Sequence, residues 1–462
     1  MSPDLLTDAS WALGMGLLGA VVFALIGLVS GTDETATVAP LTLLVVLLGV
    51  PAAGVFTFFM AGIVAKHITH AIPTALLGIP GDTMAVPMLR DAQMLRDLGV
   101  PHIALRKAIS GGVIAAFISV PLAVLFAWLL SPFADQIGKA APWIFVAAAV
   151  LIAYTSKGRL AAVLALVPFV LLIVGLQTFV SQTTGGSLSI SFFLGIATGP
   201  LIADLFTALS PAGRTTLRRD SRRSFDLAPD TRTWTGRVPN PLKVLDRKQI
   251  AYTSAAAGVS SATFVFSPVA MTVLMGEVAG ARIKNGYHRL TSVMSVRNGT
   301  TESTYIAETL IPLIALGLPL SPMAAGPAAP LFNAPPVYTV DAETGQTNNL
   351  HNLLSGGEFL VYGLLGVALA AIIAYPFAMT YAHRAASFVM RKVSHEAIIG
   401  AFAGLIMVIC LYEGGLLAVG VALTVGLVGG LLNKVFNVHT GVQFMGFYVA
   451  VLTVPQVLAL IG

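Results

Sequence analysis

Asp82 and Ser321 stand 239 residues apart at the same position of a stretch that occurs twice. Ile72-Pro-Thr-Ala-Leu-Leu-Gly-Ile-Pro-Gly-Asp-Thr-Met-Ala85 returns as Ile311-Pro-Leu-Ile-Ala-Leu-Gly-Leu-Pro-Leu-Ser-Pro-Met-Ala324, with seven of fourteen positions identical. Each copy is set in strongly apolar sequence, yet carries at least two prolines, a glycine and a polar residue. Further carboxylates lie close to apolar runs: Asp33 and Glu34 in Ser30-Gly-Thr-Asp-Glu-Thr-Ala-Thr37, and Glu302 and Glu308 upstream of the second copy. Carboxylates at membrane depth are costly and mark ion or proton pathways.

Proline removes a backbone donor and clashes with the preceding turn. Each Gly-x-Pro element (Gly78 to Pro80, Gly317 to Pro319) is therefore expected to end one half-helix and open another. The following helix N-terminus would present N–H groups and a positive dipole end to a carboxylate or phosphate. This makes Gly78, Pro80, Gly81, Asp82, Thr83, Gly317, Pro319 and Ser321 candidate substrate-binding residues, joined by Asn298 and Thr300 of Asn298-Gly-Thr-Thr-Glu-Ser303. Asp33, Glu34, Thr35, Asp82, Glu302 and Glu308 are the candidate ligands of a coupling Na⁺ or H⁺. The two tips are expected to meet around one polar cavity.

Each assignment has a plainer alternative. Asp and Ser are good N-cap residues, so Asp82 and Ser321 would serve equally as caps. Gly31 to Thr37, roughly matched in the second half by Ser260, Ser261 and Thr263, would serve as a solvated turn, and Glu302 and Glu308 as vestibule residues. His70 falls one residue from the repeat position of Glu308, so it is either a proton carrier or a structural histidine. The sequence holds no HExxH, nucleophile elbow, Walker loop or cysteine pair. Nothing therefore supports an enzyme, and no cofactor is expected beyond the coupling ion.

Such residues need a membrane scaffold to hold them. Of 462 residues 56% are hydrophobic and only 10% charged, and the mean hydropathy is +0.85. That excludes an ordinary soluble domain. At about 20 apolar residues per crossing, the chain reads as an all-α polytopic membrane protein of roughly 10–12 transmembrane segments or half-crossings. The net charge of +5 comes from Lys and Arg in short loops. This is a positive-inside pattern, and nucleic acid is not an expected partner. Cys410 has no intrachain partner, and the N-terminus, with Asp4 and Asp8, does not look like a signal peptide.

No Lys or Arg precedes Lys66, which puts the N-terminus outside, and the long apolar stretch Ala39 to Ala65 before it is interrupted at Pro51. Arg90, Arg96, Arg106 and Lys107 follow the first broken hairpin and a short basic region of Arg282, Lys284, Arg289 and Arg297 precedes the second, whereas Asn298 to His383 has no Lys or Arg. Corresponding segments then face opposite sides, as in inverted-topology repeats. The organisation reads as a first membrane repeat over 1–210, a basic cytoplasmic linker over 211–250, and a second repeat with C-terminal helices over 251–462. The linker carries ten Lys/Arg against four Asp/Glu, and Arg218, Arg219, Arg222 and Arg223 suit a topology signal or anionic headgroups. Crossing parity around residues 251–303 stays open, because the apolar run there reads equally as one long span or two half-spans.

Gly78-Ile-Pro-Gly-Asp82, Asp91, Met94, Arg96, Gly99 and Ser110-Gly-Gly112 resemble the first block of the TctA-type large permease subunit of tripartite tricarboxylate transporters. Ile311-Pro-Leu-Ile-Ala-Leu-Gly-Leu-Pro319 resembles its second. The chain departs from the family where substrate contact is expected: at Thr32 to Pro40, at Glu302 and Ser303 in place of paired asparagines, and at Leu320 in place of glycine. The resemblance implies a small membrane subunit and a periplasmic binding protein as partners, in the cytoplasmic membrane of a prokaryote. The expected function is secondary active transport of a small organic anion, a carboxylate, by alternating access coupled to Na⁺ or H⁺. The alternative is a translocase of a lipid-linked phosphate such as a polyprenyl phosphate or glycolipid. Substrate, direction and self-association stay open.

Overall fold

The computed structural model describes residues 3–155, 158–184, 188–211, 239–263, 268–340, 347–393, 395–438, 440–455 and 457. The linker arginines 218, 219, 222 and 223, like Asp341 and Glu343, lie outside the described residues.

The chain is helical almost throughout, as its composition requires when no lipid can satisfy an open backbone. The first half runs α1 (Pro3–Gly27), α2 (Glu34–Leu47), α3 (Ala52–Ile72), a π turn (Pro73–Leu77), a 3₁₀ turn (Thr83–Met88) and α4 (Leu89–Asp97). It continues through α5 (Pro101–Leu130), α6 (Ala134–Thr155), α7 (Arg159–Thr184) and α8 (Ser189–Leu209). The second half opens with α9 (Arg247–Ala262), α10 (Pro268–Ala281) and α11 (Gly286–Leu316), after which comes a single turn, Pro322–Ala325. A two-residue ribbon, β1 (Thr339–Val340) antiparallel to β2 (Thr347–Asn348), precedes α12 (Gly356–Lys392), α13 (His395–Phe436) and α14 (Thr440–Tyr448).

Among the described residues, seven helical stretches are long and apolar enough to cross a membrane. Pro101–Tyr154, at 54 residues, would measure about 80 Å against a hydrocarbon core of about 30 Å. It divides at the Ser131–Phe133 turn into α5 and α6. Similarly α13 is broken at Gly414 and Gly415, which leave helical backbone angles. The seven stretches become nine with these divisions and twelve with the shorter apolar helices Glu34–Leu47, Pro268–Ala281 and Thr440–Val451. The protein is an all-α polytopic membrane protein.

Two expectations are corrected. The second apolar stretch divides at Pro51 as expected, but it does not end at Ala65: α3 continues through Lys66, His67 and His70 to Ile72. Lys66 is therefore inside a candidate span and marks no loop. Arg297, read with the basic region before the second hairpin, is likewise buried within α11. The open choice around 251–303 falls to two short helices: α9 has 16 residues and α10 has 14, each below the length of a full crossing.

The repeat extends beyond the motif. At the same offset of 239 residues, α9 overlaps α1, α10 overlaps α2, and α11 overlaps α3 with its π turn. The packing repeats as well: α1 lies on α3, and α9 and α10 lie on α11. Past the breaks the partners exchange. α5 of the first half packs chiefly on α11 of the second, and α12 of the second on α3 of the first. Such reciprocity is what two copies related by a two-fold axis produce.

α3 is the innermost helix, every residue from Ala53 to Ile72 being buried. The apolar window of its span is 94% buried, against 28% for α7, which identifies α7 as a lipid-facing helix. Trp128, Trp143, Leu151, Leu164 and Leu171 project outward from this outer layer, where α6, α7 and α8 pack with α13 and α14.

Candidate functional site

The two breaks share one backbone design. Gly78 (φ 67°, ψ 27°) and Gly317 (φ 63°, ψ 11°) end their helices in the left-handed region, which glycine enters without steric penalty. Four residues on, Asp82 and Ser321 take extended backbone and cap the next turn. Asp82 Oδ1 accepts from the N–H groups of Met84 and Ala85 at 3.0 and 3.1 Å. Ser321 Oγ accepts from Ala324 N–H at 3.1 Å. The first break leads into six residues of 3₁₀ helix from Thr83 that run directly into α4, and the second into a single four-residue turn of α-helix. The N–H groups expected to face an anion are engaged by these caps.

Asp82 does more than cap. Its Oδ2 accepts from Lys66 Nζ at 2.8 Å and sits 2.7 Å from His70 Nδ1. Lys66 Nζ also donates to the Thr32 carbonyl at 3.1 Å and lies 3.8 Å from Glu34 Oε1. Beside Lys66, His67 joins the halves: Nε2 is 2.5 Å from Glu34 Oε1 and Nδ1 is 2.8 Å from Glu302 Oε2. An ionised carboxylate only accepts hydrogen bonds. Both His67 nitrogens must therefore donate, or one of the two carboxyl groups must carry the proton. Either way the Glu34–His67–Glu302 bridge holds one proton beyond a neutral imidazole and two carboxylates. All these residues are buried, and charges survive there only when paired in this way.

Three atoms of this network have no partner among the described residues, Glu34 Oε2, Glu302 Oε1 and His70 Nε2, and on α11 the same holds for Tyr305 OH, Thr300 Oγ1 and Asn298 Oδ1. Buried polar atoms are seldom left unpaired in folded proteins, each costing about 1–3 kcal/mol. The three that belong to the network itself leave it able to take a polar guest. Tyr305 sets its ring edge-on to His67, with centroids 4.9 Å apart. Glu34, His70 and Asp82 are also spaced for a metal, each offering a ligand atom within 4.8 Å of the others, but the Lys66 ammonium already sits between two of them.

The first tip is clasped by the loop before α2. Gly31 N–H donates to Gly81 O at 2.8 Å and Ser30 Oγ to Pro80 O at 2.5 Å. A side chain at Gly81 would meet His70 O at 2.4 Å. The second tip is held by α11: Ser321 Oγ donates to Glu308 O at 2.6 Å, and Met323 N–H approaches Glu308 Oε2 at 3.4 Å. Asp33 caps α2 through Ala36 N–H, and Gly326, just past the second tip, packs against Thr35. The segment from Ser30 to Thr35 thus touches the first tip at one end and the turn after the second tip at the other. Of the remaining candidates, Asn298 uses Nδ2 on Ala108 O, and Ser260 bonds Ser303. Arg297 ties the break to the second half through Pro87 O, Asp91 and Glu277. Burial pushes the Asp91 carboxyl above its usual range even beside that guanidinium.

Lys66 and His67 are absent from the sequence candidates. The signal that could have found them is local: Lys66 and His70 stand four residues apart, on one helical face, with Ile63-Val-Ala65 before them and Ala71-Ile72 after. A family model described as the tripartite tricarboxylate transporter TctA family matches residues 13–446. Neither a curated protein nor a solved structure matched the chain.

Proposed function

Because the chain belongs to the tripartite tricarboxylate transporter TctA family, and so is a component of a transporter, we propose that it is the subunit through which the substrate crosses. It moves a small organic anion, a carboxylate, by alternating access coupled to Na⁺ or H⁺. The small membrane subunit and periplasmic binding protein implied by the family assist it in the cytoplasmic membrane of a prokaryote. The observation that carries this reading is the buried network of Glu34, Lys66, His67, His70, Asp82 and Glu302, drawn from both halves of the chain. Ionisable side chains are retained at such depth for ion and substrate pathways. The unpartnered Glu34 Oε2, Glu302 Oε1 and His70 Nε2 of this network, with the Tyr305 ring packed on His67, suit a carboxylate and its hydroxyls. The exchanged packing of α5 and α12 supports two repeats that rock about a shared site.

Uptake of labelled mono-, di- and tricarboxylates into proteoliposomes tests it, with and without the two partner proteins and under imposed pNa and pH gradients. At least one carboxylate should accumulate. Flat uptake of all of them with partners present would remove the reading.

One observation favours translocation of a lipid-linked phosphate as second reading. A cavity of about 590 Å³ is lined by Leu25, Leu28, Val29, Phe377 and Phe388, with Arg384 beside them, and reaches Thr32. Copurification of a polyprenyl phosphate lost on Arg384→Ala would support that reading over the first.

A further inference from the structure

Lys66 stands where a coupling cation would have to sit. Its Nζ is 2.8 Å from Asp82 Oδ2, 3.1 Å from the Thr32 carbonyl oxygen and 3.8 Å from Glu34 Oε1. Carboxylates and an unwound backbone carbonyl next to a helix break are the oxygen set that holds hard cations and transported Na⁺. Here the set converges on an ammonium, itself a compact point charge. The lysine is fully buried, so its head has no water to snorkel into.

The second half provides an independent comparison. At the offset of 239 residues, Lys66 corresponds to Tyr305 and Asp82 to Ser321. The cation and the anion are thus both absent where the break is otherwise the same, so they occur as a unit. A metal ion at Asp82 would leave Lys66 a buried charge without its partner, which costs several kcal/mol.

Building on the transporter reading, we infer that Lys66 is a built-in cation that takes the place of sodium between Asp82 and Glu34 and makes the protein indifferent to Na⁺. Thermal unfolding of the purified full-length chain tests this without any substrate, in NaCl series balanced with KCl or choline chloride at constant ionic strength. Wild type should unfold at the same temperature in all three salts. Lys66→Met, which removes the ammonium and keeps the apolar stem, should gain a saturable, Na⁺-specific rise of about 2–4 °C. Lys66→Arg should stay indifferent. A saturable Na⁺-specific rise in wild type overturns the inference, and so does a folded Lys66→Met that ignores Na⁺. Should Lys66→Met not fold, Lys66→Gln serves in its place, and direct ²²Na⁺ binding to wild type decides alone: saturable binding overturns the inference, none supports it. The outcomes separate from those of the transporter reading. Flat uptake with an Na⁺-indifferent wild type sinks transport only, whereas Na⁺-driven uptake with saturable Na⁺ binding sinks this inference only.

Discussion

The two helix breaks are one piece of backbone carrying two kinds of chemistry. Both leave their helix through a left-handed glycine and restart it four residues later under a side-chain cap. At the first, the capping carboxylate also holds Lys66 and His70. At the second, the cap is a neutral serine, and the residue matching Lys66 is a tyrosine. The shared part needs glycine, proline and any good cap, so it tolerates drift in polarity. The charged part is confined to one break. A cap and one bond back to the Glu308 carbonyl account for Ser321, whereas a cap accounts for only one oxygen of Asp82.

The largest effect should come from Asp82→Ala, which strands Lys66 and His70 as well as removing the cap. We expect a loss of about 3–5 kcal/mol in denaturant or thermal unfolding. The double variant Lys66→Met/Asp82→Ala should lose less than Asp82→Ala alone, because no buried lysine is left unpaired. Equal losses would mean that the pair contributes nothing as a pair. Ser321→Asp sharpens the contrast from the other side. It places a second carboxylate beside Glu308 with no lysine at 305, and should cost about 3 kcal/mol; a neutral result would show that the second break accepts charge as readily as the first.

The shared part of the design predicts matched, smaller effects. Gly78→Ala and Gly317→Ala should each cost about 1–2 kcal/mol for the left-handed backbone, measured as shifts in unfolding midpoint. A new Cβ at Gly78 also meets Arg96 Nη1, the movable end of a long side chain, and should add little. Ser321→Ala should lose about 1 kcal/mol for the missing cap and about 1 kcal/mol more for the Glu308 carbonyl, which Pro312 cannot serve and which loses its hydroxyl donor.

Much of this scaffold is legible in the residues. The breaks are, because Gly78, Gly317 and their prolines act on their own backbone and need no tertiary context. The kink between the two arms of α13 is legible in Gly414-Gly415 for the same reason. The apolar spans follow from composition. Lys66 and Arg297 mislead because charge counting along a membrane chain assigns every basic residue to a loop. That rule fails where a distant carboxylate satisfies the charge, as Asp82 does for Lys66 and Asp91 for Arg297. His67 is hidden more deeply, since its partners Glu34 and Glu302 lie 33 and 235 residues away. Pairings of that kind belong to the packing of α2, α3 and α11 and leave no local trace.

Asp82→Asn gives the most direct test of the claim that the first break carries the working chemistry. Asparagine keeps an acceptor for Met84 and Ala85 N–H and loses only the charge, so the break should keep its shape. In proteoliposomes with both partner proteins, wild type should accumulate a carboxylate and a folded Asp82→Asn should not. Uptake by Asp82→Asn at the wild-type rate would show that Asp82 is a cap and nothing more, and that the buried network is not the site of transport.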